Sequence, residues 1–385
     1  MNIAENGTSV AAVDMSTERA ETPQNGAGTL FLPASAYTSS SQFEAERTAI
    51  FERSWILVGD TGELKESGDY ITATIGNSPV LIVRSHDGEI RGFLNVCRHR
   101  GVTLAEGRGH CQHQFKCPYH GWSYGTDGRL RGVPFREEFT AQLDNKNLIP
   151  IRIAVAAPLI FACLDESAPS FEHWAGSLLG ALERARAGEM TEVCKLEYEI
   201  ECNWKVAVEN AMDTYHLPIL HAAGEAAFID VHTTEVHEEE YGSYAATKLP
   251  DALVQILPGR EHLPEWDAVH VRMGSLFPNL VAVFFPGSLL CFRYDPISPE
   301  RFRLVVKGYE YGDAQQALRD YRIQAVDATN KEDIPILERV QRGLKARDLP
   351  PFVYASRLEQ RVYHFQSMVK RAMAGSKVRL TQLAD

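Results

Sequence analysis

The sequence predicts an α+β chain in two parts: a small, mostly antiparallel β domain, then a larger body in which helices surround strands. Three observations predict it. From about residue 55 to 165, short β-rich runs alternate with Asp-Gly turns. After about 166, apolar positions recur at helical spacing around further strands. The chain is also long, 385 residues and 43.0 kDa, which favours two domains over one.

In chain order, residues 1–35 form a tail without apolar periodicity. Residues 36–54 carry a helix that packs on the larger domain: Ser41 and Glu44 make a capping-box pattern, and Phe43, Ile50 and Phe51 share a face. Residues 55–165 are the β domain. Val80–Arg84 and Ile90–Val96 flank Asp87-Gly88. A second hairpin runs from His120–Gly125 through Asp127-Gly128 to Leu130, and Ile149–Val155 and Leu159–Leu164 close the domain. Residues 166–385 are the second domain, with helices expected near 173–187 and 204–216 and strands through 270–311. Three helices end it, near 314–330, 333–346 and 355–374.

Composition narrows the class. A net charge of −12 disfavours nucleic acid and anionic membranes. No apolar run approaches the roughly 20 residues of a membrane span, and no secretory signal pattern opens the chain. Seven scattered cysteines do not suggest a disulfide framework, so a reducing cytoplasm is the default expectation.

Two constellations carry chemistry. The first is Cys97-Arg98-His99, then Cys117-Pro118-Tyr119-His120, two Cys-His pairs, each expected at the tip of a β-hairpin loop. Thiolates and imidazoles together suit either a closed zinc site or an iron–sulfur cluster with two Cys on one iron and two His on the other. His110, Cys111 and His113 lie between the two arms and read as ordinary loop residues. Around them, residues 91–136 hold eight basic groups against Glu106 and Asp127, which suits either internal salt bridges or docking of an acidic partner.

The second is Glu209-Asn210-Ala211-Met212-Asp213-Thr214-Tyr215-His216-Leu217-Pro218-Ile219-Leu220-His221. Asp213 and His216 fall on one helix face. Pro218 is expected to break the helix and let His221 swing toward His216. Two imidazoles and one carboxylate would make the facial triad of a non-haem Fe(II) site.

The run Cys97-Arg-His-Arg-Gly101…Cys117-Pro-Tyr-His-Gly-Trp122-Ser-Tyr124, followed by Asp213-x₂-His216-x₄-His221, resembles the alpha (catalytic) subunits of Rieske non-haem iron aromatic-ring-hydroxylating oxygenases. The resemblance covers about residues 36–375. It implies a Rieske β domain and a catalytic domain of helix-grip, START-like form. It implies a [2Fe–2S] cluster on Cys97, His99, Cys117 and His120, with Trp122 beside it. Mononuclear Fe(II) would sit on His216, His221 and Asp333, with Glu332 the alternative to Asp333.

Asp213 would bridge an iron-ligand His to a cluster His of a neighbouring subunit, and Asn210 would lie near the iron. The resemblance further implies electrons from NAD(P)H through a separate reductase or ferredoxin, O2 as co-substrate and a homotrimer. The activity would be mono- or cis-dihydroxylation of an apolar, aromatic substrate. The alternative is oxidative demethylation or hydroxylation of a quaternary amine or natural-product scaffold. An acidic group in an aromatic cage would favour a cation, and a pocket arginine such as Arg293 an aromatic carboxylate. The run Glu235, Glu238, Glu239, Glu240 reads as a solvated face or loop. Leu217, Leu220, Phe228, Phe277, Phe284, Phe285 and Phe292 are eligible to line the pocket.

Overall fold

A computed structural model describes residues 32–375 except 223, 225–228, 256, 258 and 313–315. The expected N-terminal tail and Phe228 lie outside the described residues. Within them, no helix is long and apolar enough to cross a membrane, and all seven cysteines are free.

The chain opens on two short helices, α1 (Ser35–Thr38) and α2 (Ser40–Ala49). The cap of α2 is Ser39, whose hydroxyl accepts from Gln42 N, rather than the expected Ser41. The β domain follows. Its seven-stranded antiparallel sheet has the order β1-β10-β9-β4-β3-β2-β5: β1 (Ile56–Asp60), β10 (Leu159–Cys163), β9 (Pro150–Ala156), β4 (Ile90–Leu94), β3 (Ser78–Arg84), β2 (Asp69–Ile75) and β5 (Arg108–His110). A small sheet of β6 (Phe115–Lys116), β7 (Ser123–Tyr124) and β8 (Leu130–Gly132) stands apart. The Asp87-Gly88 turn joins β3 to β4 as expected, with Gly88 at φ +89°, a conformation glycine adopts freely. The first Cys-His pair leaves β4, but it is not at a hairpin tip: β5, the next strand, pairs with β2.

The second body is built on a seven-stranded antiparallel sheet ordered β11-β17-β16-β15-β14-β13-β12. In chain order these are β11 (Thr191–Ile200), β12 (Glu235–Glu239), β13 (Gly242–Lys248), β14 (His270–Leu276), β15 (Leu280–Phe285), β16 (Ser288–Ser298) and β17 (Arg301–Glu310). The acidic run therefore forms an edge strand, β12, rather than a loop: charge on an unpaired edge discourages further strand addition. Helices α3 (Phe171–Ala175), α4 (Ser177–Arg184), α5 (Trp204–Met212), α6 (Leu217–Leu220), α7 (Asp251–Val254), α8 (Gln316–Gly343) and α9 (Gln360–Gly375) complete it.

The two helices expected at 314–330 and 333–346 are one, the 28-residue α8, with Pro335 inside it. Proline removes a single N–H and locally kinks a helix; burial of Val326, Asn330, Leu337 and Gln341 on either side keeps the turns in register.

One hydrophobic core runs through both bodies, from Ile56–Val58 to the catalytic sheet's Leu280–Phe284. Polar ties fix the joint. Asn279 exchanges two hydrogen bonds with the backbone of Leu57, at 3.0 and 3.1 Å. Lys307 is clamped by Asp60, Glu63 and Glu192. A second, smaller core of Leu81, Phe93, Leu104, Phe115 and Trp122 surrounds Cys97 and Cys117.

Helix α2 docks on α5 and α9 through a buried ion pair. Lys205 Nζ lies 2.7 and 2.8 Å from the Glu46 carboxylate, both side chains have no exposed area, and Trp204 Nε1 donates to Glu46 at 3.0 Å. Replacing Lys205 by Met should destabilise the fold by about 3–5 kcal/mol, because Glu46 is left charged in the interior. Combining it with Glu46→Leu should recover most of that loss, read from chemical denaturation midpoints.

Beside this pair, Glu209 is half-buried and accepts from Tyr37 Oη at 2.7 Å and Gln366 Nε2 at 3.2 Å. Burial pushes its carboxyl up to about 7. The folded state therefore binds the proton more tightly than the unfolded chain, and stability contributed by this group declines as pH rises from about 4.5 to 7. Glu209→Gln should flatten that decline, measured as Tm against pH.

Candidate active site

The first constellation is assembled by two backbone knuckles of the same construction. Cys97 N donates to Val102 O and Gly101 N to Cys97 O. Cys117 N donates to Trp122 O and Gly121 N to Cys117 O, with distances between 2.7 and 3.1 Å. Gly101 and Gly121 sit at φ +80° and +74°, which closes each turn at little cost only for glycine. The pairs meet with His99 and His120 rings 4.6 Å apart, edge to face, and His99 stacked on Trp122 at 5.1 Å.

Cys97 and Cys117 are buried. Tyr124 holds the first knuckle from behind: its hydroxyl is 3.4 Å from Cys97 Sγ and accepts from Arg98 N at 3.0 Å. The His99 Nδ1 atom is buried without a hydrogen-bond partner. These four side chains do not draw their ligand atoms together within 4.8 Å, as a single ion requires. Among the described residues only His216, His221 and Asp333 do so. Two thiolates and two imidazoles that approach without closing on one point suit a two-iron cluster better than zinc.

His110, Cys111 and His113 lie apart from this centre; His110 Nδ1 faces Asp69 at 2.9 Å. The basic groups of residues 91–136 are partly spent within their own domain. Arg91 pairs with Asp87, Arg129 and Arg131 with Asp127, and Arg136 with Asp144. Arg98 and Arg100 remain beside the cluster loops, the latter over the Tyr119 ring at 5.5 Å.

The second constellation is positioned by α5, α6 and α8. Helix α5 ends at Met212, and Asp213 caps it in extended conformation, so the break precedes His216 rather than following from Pro218. Pro218 instead occupies the first turn of α6, where a missing N–H costs nothing. The consequence is the expected one by another route: His216 and His221 flank the short α6 with ring centroids 5.2 Å apart.

Three carboxylates surround these two imidazoles. Asp213 Oδ2 is 3.1 Å from His216 Nδ1, and Glu332 Oε2 is 2.7 Å from His221 Nδ1. Asp333 Oδ1 stands 3.1 Å from His221 Nε2 and 3.9 Å from His216 Nε2. With each Nδ1 held by a carboxylate, each Nε2 is left as a lone-pair donor toward Asp333.

His221 Nε2 and Asp333 Oδ1 are both buried without a hydrogen bond, although they face each other. A divalent cation among the three would satisfy both, and two nitrogens with one carboxylate match an Fe(II) triad. Burial opposes charge on His221, but the Asp333 and Glu332 carboxylates facing its two ring nitrogens outweigh it, and the imidazole is shifted upward overall. Glu332, weighed from sequence as the alternative metal ligand, is thus the residue that orients His221. Its neighbour Asp333 was legible; its own partner, 111 positions away, was not.

The triad opens on a chamber of about 160 Å³ whose lining includes Asn210, Asp213, Leu217, Phe285, Phe292, Tyr294 and Phe302. Of the other eligible pocket residues, Phe277 and Phe284 are in the core and do not line it, nor does Leu220. Arg293 is not a pocket arginine: it donates to Val58 O and Asp295, at the joint between the two bodies.

Residues 54–150 match the Rieske [2Fe-2S] domain model, and residues 187–375 match the ring hydroxylating alpha subunit (catalytic domain) model. The chain is 31% identical to choline monooxygenase of Beta vulgaris, over 86% of its own length and 75% of that protein's. It is 39% identical to the chlorobenzene dioxygenase alpha subunit of Cupriavidus sp. strain PS12, over 47% of this chain and 42% of that one. The crystal structure of a quaternary ammonium Rieske monooxygenase superposes with a TM-score of 0.79 at 24% identity, covering 91% of this chain and 97% of that one, a likeness of fold.

Glu332→Gln should weaken iron binding at the mononuclear site about 10–100-fold while leaving the cluster absorption unchanged, because His221 loses its orienting acceptor. Iron titration of the metal-depleted protein, followed by metal analysis, reads this directly.

Proposed function

The chain belongs to the Rieske non-haem iron oxygenases, the family of the ring-hydroxylating alpha subunits, and from that premise we propose that it oxygenates an apolar, ring-sized group held against the His216, His221 and Asp333 triad. The membership itself makes it the terminal oxygenase component, with a Rieske cluster, a mononuclear iron and an external electron donor. When bound, the cluster supplies single electrons and the iron activates O2. Cys97, His99, Cys117 and His120 would hold the one; His216, His221 and Asp333 the other.

The chain's own residues do the rest. Asp213 and Glu332 keep both imidazoles in the tautomer that presents Nε2. The apolar walls around Phe285, Phe292 and Phe302 exclude water and hold the substrate's reactive carbon near the triad. Asn210, on the α5 face that lines the chamber, is placed to orient it.

One observation carries the aromatic reading. Among the described residues, no charged side chain lines the chamber apart from Asp213 and Asp333, which the metal site uses. A neutral ring meets mostly ring faces and aliphatic carbon there, with Asn210, Thr329 and Asn330 as uncharged polar neighbours, and keeps the desolvation cost small.

A second reading has its own support: choline monooxygenase matches far more of the chain than the dioxygenase does. Four aromatic side chains can also hold a trimethylammonium group by cation–π attraction, about 0.5–2 kcal/mol each. That reading is oxidative attack on a quaternary amine.

Asp213 has its partners close by: Tyr215 N and His216 within the chain, with no hydrogen bond to His99 or His120 among the described residues. Tyr215 and Ile219 beside it, and Tyr119 beside His120, expose large apolar surface. We therefore propose a homotrimer in which a neighbour's cluster domain covers this face, and docking of the reductase or ferredoxin over Arg98 and Arg100.

Two measurements test the proposal. Asp333→Ala should lower iron from about three atoms per chain to about two, with the Rieske EPR signal intact; retained mononuclear iron would exclude Asp333 as a ligand. With reductase and O2, aromatic hydrocarbons should yield hydroxylated rings. Formaldehyde from choline-type substrates, with no ring product, would decide for the quaternary amine.

A further inference from the structure

A second cavity lies directly behind the aromatic wall of the metal-site chamber. Phe285, Leu290 and Val326 line both; the second, of about 370 Å³, lies between the sheet and α8. That outer cavity is mostly apolar, but its lining includes one ion pair, Glu310 with Arg322.

Glu310 is almost fully buried and is met by two guanidiniums: Arg322 Nη1 at 2.8 Å and Arg319 Nε at 3.4 Å. Among the described residues, two guanidiniums thus share this one carboxylate. Arg322 Nη2 is buried with no hydrogen-bond partner among the described residues. A guanidinium in that state is costly, and a carboxylate, which can take two parallel N–H donors, is its natural complement.

Helix α8 links this group to the chemistry. Arg322, Val326, Asn330 and Asp333 follow at spacings of four, four and three, so they share one face. Arg322 and Val326 line the outer cavity; Val326, Asn330 and Asp333 line the inner one. Eleven residues of helix separate Arg322 from the metal-site Asp333, about 16 Å along the axis before the inward reach of both side chains shortens it.

We propose that the two cavities are the ends of one substrate site, and that Arg322 binds a carboxylate at the outer end. The substrate is then a two-ended molecule: an apolar reacting group at the triad and an anionic group several bonds away. Phe285, Leu290 and Val326 form the neck between them. This rests on the reading that the inner chamber holds the reacting group, and it does not depend on whether that group is a ring or an ammonium.

Binding to the holoenzyme, measured by anaerobic isothermal titration, tests it. One ligand series is the ω-phenylalkanoates from phenylacetate to 8-phenyloctanoate; the other is the matching ω-trimethylammonio acids. Each acid is compared with its primary amide. The expected result is at least a tenfold preference for acid over amide at one of the longer chain lengths in either series, and none for the shortest acid.

Arg322→Gln should abolish the preference, and Arg322→Lys should keep part of it. Should Arg322→Gln not fold, Ile323→Trp, at a residue that lines only the outer cavity, fills that end and should weaken long acids tenfold while sparing phenylacetate. Equal affinity for acid and amide at every length, a preference that survives Arg322→Gln, or no binding of either series overturns the proposal. An Arg322-dependent preference confined to the ammonium series upholds it and removes the aromatic reading. Tight binding of phenyl compounds regardless of the tail does the reverse.

Discussion

An imidazole has two nitrogens, and a metal can use one only when the other is spoken for. That constraint organises the catalytic body. His216 and His221 each have Nδ1 against a carboxylate, so each Nε2 faces Asp333. The carboxylates come from different places: Asp213 from the end of α5, Glu332 and Asp333 from consecutive positions on α8. Three carboxylates beside one buried and one half-buried imidazole would repel one another and lower the stability of the fold if nothing offset them. A divalent cation would offset them, so the polar cluster and the metal chemistry would share one physical explanation.

Local motifs were legible in the sequence because their members lie close along the chain. Each Cys-His pair spans at most four residues, and the turns that shape it are built by glycines inside the motif. His216 and His221 were legible for the same reason. What the sequence did not show is long-range. The Glu332 contact with His221 and the Glu46–Lys205 pair join residues more than a hundred positions apart, and no local pattern encodes them. The unbroken α8 was also hidden. Pro335 argues locally for a stop, and only tertiary burial on both sides carries the helix through. The run Glu235–Glu239 reads as a solvated face or a loop, and it is a solvated face: its acidic composition suits an exposed edge strand, whose pairing no local pattern reveals.

The joint between the two bodies is stiff. A continuous apolar core crosses it, Asn279 closes two hydrogen bonds with Leu57, and Lys307 sits among three carboxylates drawn from both sides. Burying a lysine among acids is expensive unless every partner is in place, so hinge motion here would break several charge-assisted contacts at once. The cluster domain therefore holds a fixed pose relative to the triad of its own chain. Any contact between His99 or His120 and an Asp213 would have to be made between two chains, and Tyr215 and Ile219 leave apolar surface exposed beside Asp213.

Helix α8 is the element on which these threads meet. Its 28 residues deliver Asp333 to the candidate metal site, Glu332 to the back of His221, and Gln341 both to α1 through Tyr37 O and to the start of α5 through Asn203 N. A helix so anchored at one end behaves as a rigid rod, and whatever lies along its inner face is held at a fixed distance from the reacting centre. Val326 and Arg322 lie on that face. On the proposed two-ended site, selectivity by length would follow from this rigidity: a substrate that fills the inner chamber would have its far end placed by the rod, not by a loop that can adapt. Altering one helix face several turns from Asp333 would then change the length accepted without disturbing the imidazoles or the carboxylates that hold them.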